Sequence, residues 1–229
     1  YDQVKCTEGI PIFYNQPFRL GERGFGYQTL DLGPWAIILL NSEIMCKLDR
    51  ASSQMYWRGL KQLEWFDREL RTRTNRQCIM TVYHRPMYSS GQFGSHAWVR
   101  SLFRKAFKLG VDLYVVAHEH MFVDWPPLRP IDDLNAAVDP PRGIKGFGVG
   151  TGGAKPHPHP TVNPEIKKEE RRLKFGEEVV ANVSGILELT LSPGRYEWRF
   201  LPVPSQRSLR TVWPKGSGGC RENSTSFIE

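Results

Sequence analysis

A chain of 229 residues, 40% of them hydrophobic, is long enough to bury one substantial core and reads as a single globular domain with at most a small extension. Its longest apolar run, Trp35 to Leu40, is too short to cross a bilayer, and no charged-then-apolar leader opens the sequence. The net charge of +7 comes from Lys and Arg mixed with Asp and Glu along stretches such as 58–76, with no basic stripe and no interleaved aromatics, which argues against nucleic acid as a specific partner.

In chain order, Tyr27 to Leu32 and Trp35 to Leu40 read as two strands of a hairpin, joined at Gly33-Pro34, a pair that cannot continue a ladder. From Tyr56 to Arg73 the residues Trp57, Leu60, Leu63, Phe66 and Leu70 recur at helical spacing and mark one apolar face. Residues 78–84, "CIMTVYH", form a short β-rich run ending in histidine. A second helix is expected over Val99, Leu102, Phe103 and Ala106, with Gly110 at its C-terminal cap, and "VDLYVVAH" then makes a strand that again ends in histidine.

Strand, helix, strand at this spacing predicts a right-handed βαβ unit, with parallel neighbouring strands ending on one edge. That edge is where α/β sheets place ligands. Lys145 to Gly150 is expected as a further strand running into the Gly-rich turn "GTGGAK". Residues 155–181 read as a Pro-rich and then charged surface excursion, with helical turns around Pro164 to Lys174. A closing hairpin turns at Ser192-Pro193-Gly194, and the chain from Ser205 onward reads as loop.

Three histidines, His84, His118 and His120, are thereby brought to one edge from two different strands. Imidazole is the commonest ligand for divalent transition metals, and an H-x-H past a strand can give one ring to each ion of a pair. Two metals about 3.5–4 Å apart can clamp a phosphoryl group and activate water, but they also require hard oxygen ligands, usually a bridging carboxylate. The plain alternative is that His84 and His118 only end strands and bond backbone while His120 faces solvent.

The motifs "YHRPMYSSG" (83–91), "VDLYVVAHEH" (111–120) and "GIKGFGVGTGGA" (143–154) resemble, in order and spacing, the last motifs of the calcineurin-like metallophosphoesterases, especially the purple acid phosphatase branch. "GYQTLDLGPWAIILLNSE", "GLKQLEWFDREL" and "ILELTLSPGRYEWRFLPV" are similar to that family's strand pair, helix and closing hairpin, so the resemblance runs from about residue 10 to about residue 220. It implies an α/β fold, the C-terminal portion of a four-layer α/β/β/α sandwich, over residues 1–204, with 205–229 as a tail. It also implies two metal ions (Fe, Zn or Mn), His84 and His118 on one and His120 on the other. His96 and Arg85 would serve as substrate-binding groups for a phosphate ester, with His96 also the catalytic acid.

The family's first three motifs carry the bridging carboxylate, and they are expected to lie ahead of Tyr1 or on a companion chain, which leaves this stretch incomplete by itself. A non-catalytic, phosphatase-like scaffold subunit is the alternative reading. Three positions depart from the family pattern: Ala117 stands where Gly is usual, Phe122 in place of Tyr, and Phe93 where bacterial relatives carry a histidine.

Other signals are simpler. "GVGTGGA" lacks the Gly-Lys-Ser/Thr ending of a phosphate-cradling loop and reads as a tight turn beside the site. The prolines around His157 and His159 favour an exposed, extended loop. Asp112 is expected to cap the strand entry or bond a loop, and Glu119 to point away from its two histidine neighbours as a supporting partner. The four cysteines, Cys6, Cys46, Cys78 and Cys220, lie too far apart for a zinc knuckle and are disulfides or buried thiols. Glycosylation sequons at Asn182 and Asn223 fit a secreted chain, with an organelle-resident subunit as the alternative.

Overall fold

Alternation along the strands decides the architecture. In β3 (Cys78–Val82) the side chains of Cys78 and Met80 join one apolar cluster and that of Ile79 joins another. In β4 (Leu113–Val116) Leu113 and Tyr114 divide in the same way. Strands buried on both faces must lie between two covering layers.

The computed structural model describes residues 26–45, 54–73, 78–132, 135–157 and 175–221. β1 (Gln28–Leu32) and β2 (Trp35–Leu39) pair as the expected antiparallel hairpin, and Gly33 at φ +65° takes its left-handed turn position. α1 (Gln54–Thr72) precedes β3, and α2 (Arg100–Lys108) links β3 to β4. β3 and β4 are parallel neighbours, as the spacing predicts. β5 (Phe122–Pro130), β6 (Ala136–Val138), β7 (Ile144–Val149) and β8 (Glu178–Val180) complete an eight-stranded mixed sheet, in the order β1-β2-β3-β4-β7-β5-β6 with β8 on β5. β9 (Gly185–Ser192), β10 (Arg195–Pro202) and β11 (Lys215–Gly219) form a second, antiparallel sheet.

Phe66 and Leu70 of α1 and Leu102, Phe103 and Ala106 of α2 cover one face of the main sheet. The other face sets Trp35, Met80, Leu113 and Phe147 against Tyr196, Trp198 and Phe200 of the second sheet. The described residues thus supply a helical layer and two sheets of the expected sandwich. Trp57 departs from the helix pattern: it stands at the start of the apolar face yet is 61% exposed.

Two expectations are corrected. The segment after Ser205 is not loop, because β11 pairs with β10 and a Cys78–Cys220 disulfide ties its end to β3. "KGSGG" carries no strand signal because its glycines serve contact instead: a Cβ on Gly216 would stand 2.9 Å from the Trp198 indole nitrogen, so the bare backbone lies flat on that ring. The nine-residue β5 also went unread in the sequence. Pro126-Pro127 disguises it, and the ladder absorbs the pair with a register shift between Trp125 and Leu128.

Candidate metal centre

Parallel pairing of β3 and β4 brings their C-terminal ends to one edge, where Tyr83 N–H donates to Val115 O (3.1 Å) and Ala117 N–H to His84 O (2.9 Å). The chain then reverses tightly: Glu119 N–H bonds back to Ala117 O at 2.8 Å across His118, whose φ is +66°. A γ-turn on a non-glycine residue stores roughly 1–3 kcal/mol of strain, a cost that concentrates at functional sites.

The hydrogen bonds around His118 fix its tautomer. The Arg85 guanidinium can only donate, and its Nη1 lies 3.1 Å from His118 Nε2. That nitrogen therefore accepts, the ring proton sits on Nδ1, and Nδ1 donates to His84 Nε2 at 3.2 Å. Arg85 is itself held by Glu43 through both carboxylate oxygens, Nε to Oε1 at 2.7 Å and Nη2 to Oε2 at 3.2 Å. Its guanidinium is therefore buried and already engaged.

His120 is oriented differently. Its Nδ1–H donates to Lys155 O at 2.6 Å, which leaves Nε2 with a free lone pair, the usual way a ligating histidine is set by a backbone carbonyl. Its ring stacks on His157 at 3.8 Å, and its backbone N–H donates to His157 Nδ1 at 3.1 Å. The expectation of an exposed loop at His157 is therefore corrected: the Gly-rich turn folds back and lays this ring on a candidate ligand. His159 lies outside the described residues.

Phe93 touches both sides of the site, its ring 4.8 Å from His118 and 4.8 Å from His157. His96 lies deeper, buried, 4.7 Å from the His118 ring and 4.7 Å from Trp98, and its Nε2 has no hydrogen-bond partner. Glu119 turns away from its neighbours as expected. At 2% exposure its carboxylate accepts from Ser89 Oγ at 3.2 Å and Phe93 N–H at 2.9 Å, pinning the 89–94 loop over the site. Gly91 permits this closeness, since a Cβ there would stand 2.4 Å from Glu119 Cδ, and on the other side a Cβ on Gly150 would stand 1.9 Å from the Glu119 backbone oxygen. The Gly-rich turn is thus a close approach of two backbones.

The electrostatics favour neutral imidazoles. Burial first, and then the Arg85 charge, push the pKa of His118 down to about 3 and that of His96 to about 4. Burial also lowers His84. The ring-donating groups are thus in the unprotonated form that binds metal. Burial raises Glu119, against the N–H groups that hold its charged form.

The spacing fits a metal ion. Nitrogens 3.2 Å apart can share one ion at about 2.1 Å from each, with an angle near 100° between them. Two features limit the fit. Arg85 donates to His118 Nε2, so a metal on Nδ1 would move the ring proton to face that guanidinium. Among the described residues, moreover, no third His, Cys, Asp or Glu completes a close trio with His84 and His118; the one such trio, Cys78, Asp112 and Cys220, contains the disulfide. Asp112 instead bonds as expected, accepting from Ile79 N–H at 2.7 Å and Arg221 N–H at 2.6 Å. Of the sequons, Asn182 is exposed, and Asn223 lies outside the described residues. Cys6 and Cys46 also lie outside them, as do Pro164 to Lys174.

A mixed sheet backed by a second sheet, with strand-end histidines gathered at one edge, is a purple acid phosphatase-like fold. Sequence and structure comparisons agree on that purple acid phosphatase-like relationship. Mouse acid phosphatase type 7 is 31% identical over 134 residues, covering 50% of this chain and 29% of that protein. The purple acid phosphatase PPD1 from yellow lupin seeds superposes with a TM-score of 0.63 at 17% identity, over 94% of this chain and 36% of that one. GAP50, the anchor in the inner membrane complex of Plasmodium, gives a TM-score of 0.48 at 12% identity, over 87% of this chain and 55% of that one. No protein-family model matches the chain. The chain spans less than a third of the mouse protein and little more than a third of the lupin one.

Proposed function

We propose that this chain is part of a phosphoric ester hydrolase working through two metal ions, its metallophosphoesterase domain running past residue 204 to include β11 and Cys220. His84 Nε2 and His118 Nδ1 would hold one ion and His120 Nε2 the other. The observation that carries the reading is the 3.2 Å approach of His84 and His118 beside a His120 whose Nδ1 is already committed to Lys155 O. Such ions, Fe, Zn or Mn, would polarise the phosphoryl group of the ester and lower the pKa of water when bound. The remaining oxygen ligands would come from a preceding segment or a companion chain.

The neutral rings of His84 and His118 bind without first losing a proton to solvent. His96, pushed to about 4, is uncharged at neutral pH and would contact the substrate as a neutral donor, in place of the acid role read from the sequence. Arg85 would hold His118 more than it holds substrate, because both of its faces are bonded. The Cys78–Cys220 disulfide supports an oxidising compartment, secretory or organellar. No helix among the described residues is long and apolar enough to cross a membrane.

Elemental analysis of the complete protein tests the reading. About two ions per molecule, roughly halved in His118→Ala together with loss of p-nitrophenyl phosphate hydrolysis, is the expected result; metal-free folded protein would sink it. One feature favours a second reading, a phosphatase-like scaffold without catalysis: Glu43, Arg85, His118 and His84 already form a complete chain of hydrogen bonds, and Phe93 covers the His118 ring.

A further inference from the structure

The rings at the sheet edge form a rim. His84 meets His118 at 5.0 Å, His118 meets Phe93 at 4.8 Å, Phe93 meets His157 at 4.8 Å, and His157 stacks on His120 at 3.8 Å. His157 thus occupies the gap between Phe93, which has no polar atom, and His120, the candidate ligand.

Its hydrogen bonding decides its chemistry. His157 Nδ1 lies 3.1 Å from the His120 backbone N–H, an obligate donor, so Nδ1 accepts. The Glu119 carboxylate is 3.6 Å from the same nitrogen, too far to be its hydrogen-bond partner. In a neutral imidazole with Nδ1 accepting, the proton resides on Nε2. That N–H makes no hydrogen bond to the described residues, while the side chain is 16% exposed. It is an oriented, partly desolvated donor at the rim of the candidate metal centre.

We infer that His157 is a substrate-contacting residue, donating its Nε2–H to a phosphoryl oxygen of a phosphomonoester bound across the rim. The inference rests on the phosphoesterase reading of this site. The ring is held by stacking and by the His120 N–H, so no side-chain freedom is lost when the bond forms. Phe93 buttresses it on the other side. Positions 93 and 157 thus divide the recognition between two loops, one supplying an apolar wall and the other the hydrogen bond.

The experiment measures inorganic phosphate affinity by calorimetry in the complete protein, alongside its metal content. His157→Phe keeps an aromatic ring against His120 and removes the donor; it should weaken phosphate binding about five- to tenfold with metal content unchanged. His157→Asn, which can accept from the His120 N–H and donate from its amide, should restore most of the loss. In the wild type, the His157 Nε2 proton resonance should shift on phosphate addition, a readout that holds even if the Phe variant does not fold.

Unchanged phosphate affinity in His157→Phe, or a silent Nε2 resonance while phosphate binds, overturns the inference and leaves the hydrolase reading standing. A wild type that binds neither metal nor phosphate overturns both.

Discussion

Arg85→Met should make the site a better metal binder. Metal on His118 Nδ1 places the ring proton on Nε2, 3.1 Å from the Arg85 Nη1 donor, so binding must first break a charge-assisted hydrogen bond. Such bonds contribute about 1.5–3 kcal/mol, which converts to a roughly 10- to 150-fold gain in affinity when the arginine is gone. The Glu43 side chain left behind is 29% exposed and rehydrates, so the fold should lose about 1–3 kcal/mol with the buried guanidinium's hydrogen bonds.

Losing a positive charge also favours a cation through space, and that contribution is screened by salt. Zinc affinity measured against a competing chelator, at low and at high ionic strength, separates the two. A gain that persists at high salt, absent in Arg85→Lys if lysine still reaches Nε2, confirms the tautomer argument. An Arg85→Met affinity within threefold of the parent, or weaker, refutes it.

The pH dependence of stability in metal-free protein follows from His118 and His96, whose pKa values are depressed in the fold to about 3 and about 4. The unfolded chain takes up their protons near pH 6.5 and the folded one does not, so their contribution is complete above pH 7 and is lost as pH falls from about 6.5 toward 3. Denaturant midpoints should therefore rise with pH across that window, by ~2 kcal/mol after screening at the partly wet rim; a flat profile would contradict it. Opening the Cys78–Cys220 disulfide, which spans 142 residues of sequence, should destabilise by up to ~5 kcal/mol on chain entropy alone. Hydrogen exchange should then show β11 losing protection first, and equal stability with and without reductant would count against that. Gly150→Ala would force a methyl to 1.9 Å from Glu119 O; loss of at least ~2 kcal/mol in thermal unfolding, together with loss of one metal equivalent, is expected.

The sequence disclosed the parts of the site that hang on strands. His84 and His118 were legible because a βαβ spacing fixes which strand ends share an edge, and β3 and β4 obey it. Glu119 was legible in direction, although its cause is a γ-turn at His118 and not strand alternation. What local pattern could not disclose was contact between distant loops. His157 sits among prolines that read as an extended surface, and only the close approach at Gly150 brings it onto His120. Glu43 lies in a short turn held by Gln62 of α1, whose side chain donates to Asn41 O at 2.9 Å and accepts from Asn41 N–H at 2.7 Å. Nothing in "NSE" announces a guanidinium 42 residues away. β11 was hidden for a similar reason, since its glycines answer to Trp198 and Tyr196 across the sheet.

The two readings of this site are two settings of one proton. With Nδ1–H on His118 the chain Glu43, Arg85, His118, His84 closes on itself and no ion is needed; with Nε2–H the same rings present two lone pairs 3.2 Å apart. What selects between them is whether Arg85 stays against Nε2. It is held there by Glu43 through two oxygens and by Ser42, whose Oγ accepts the Arg85 backbone N–H at 3.2 Å. The Asn41-Ser42-Glu43 turn, remote from the H-x-H motif in sequence, therefore fixes where the Arg85 guanidinium sits. Oxygen ligands arriving from outside the described residues would shift the balance toward the metal-binding setting, by adding favourable metal coordination against a fixed cost of about 1.5–3 kcal/mol at Arg85.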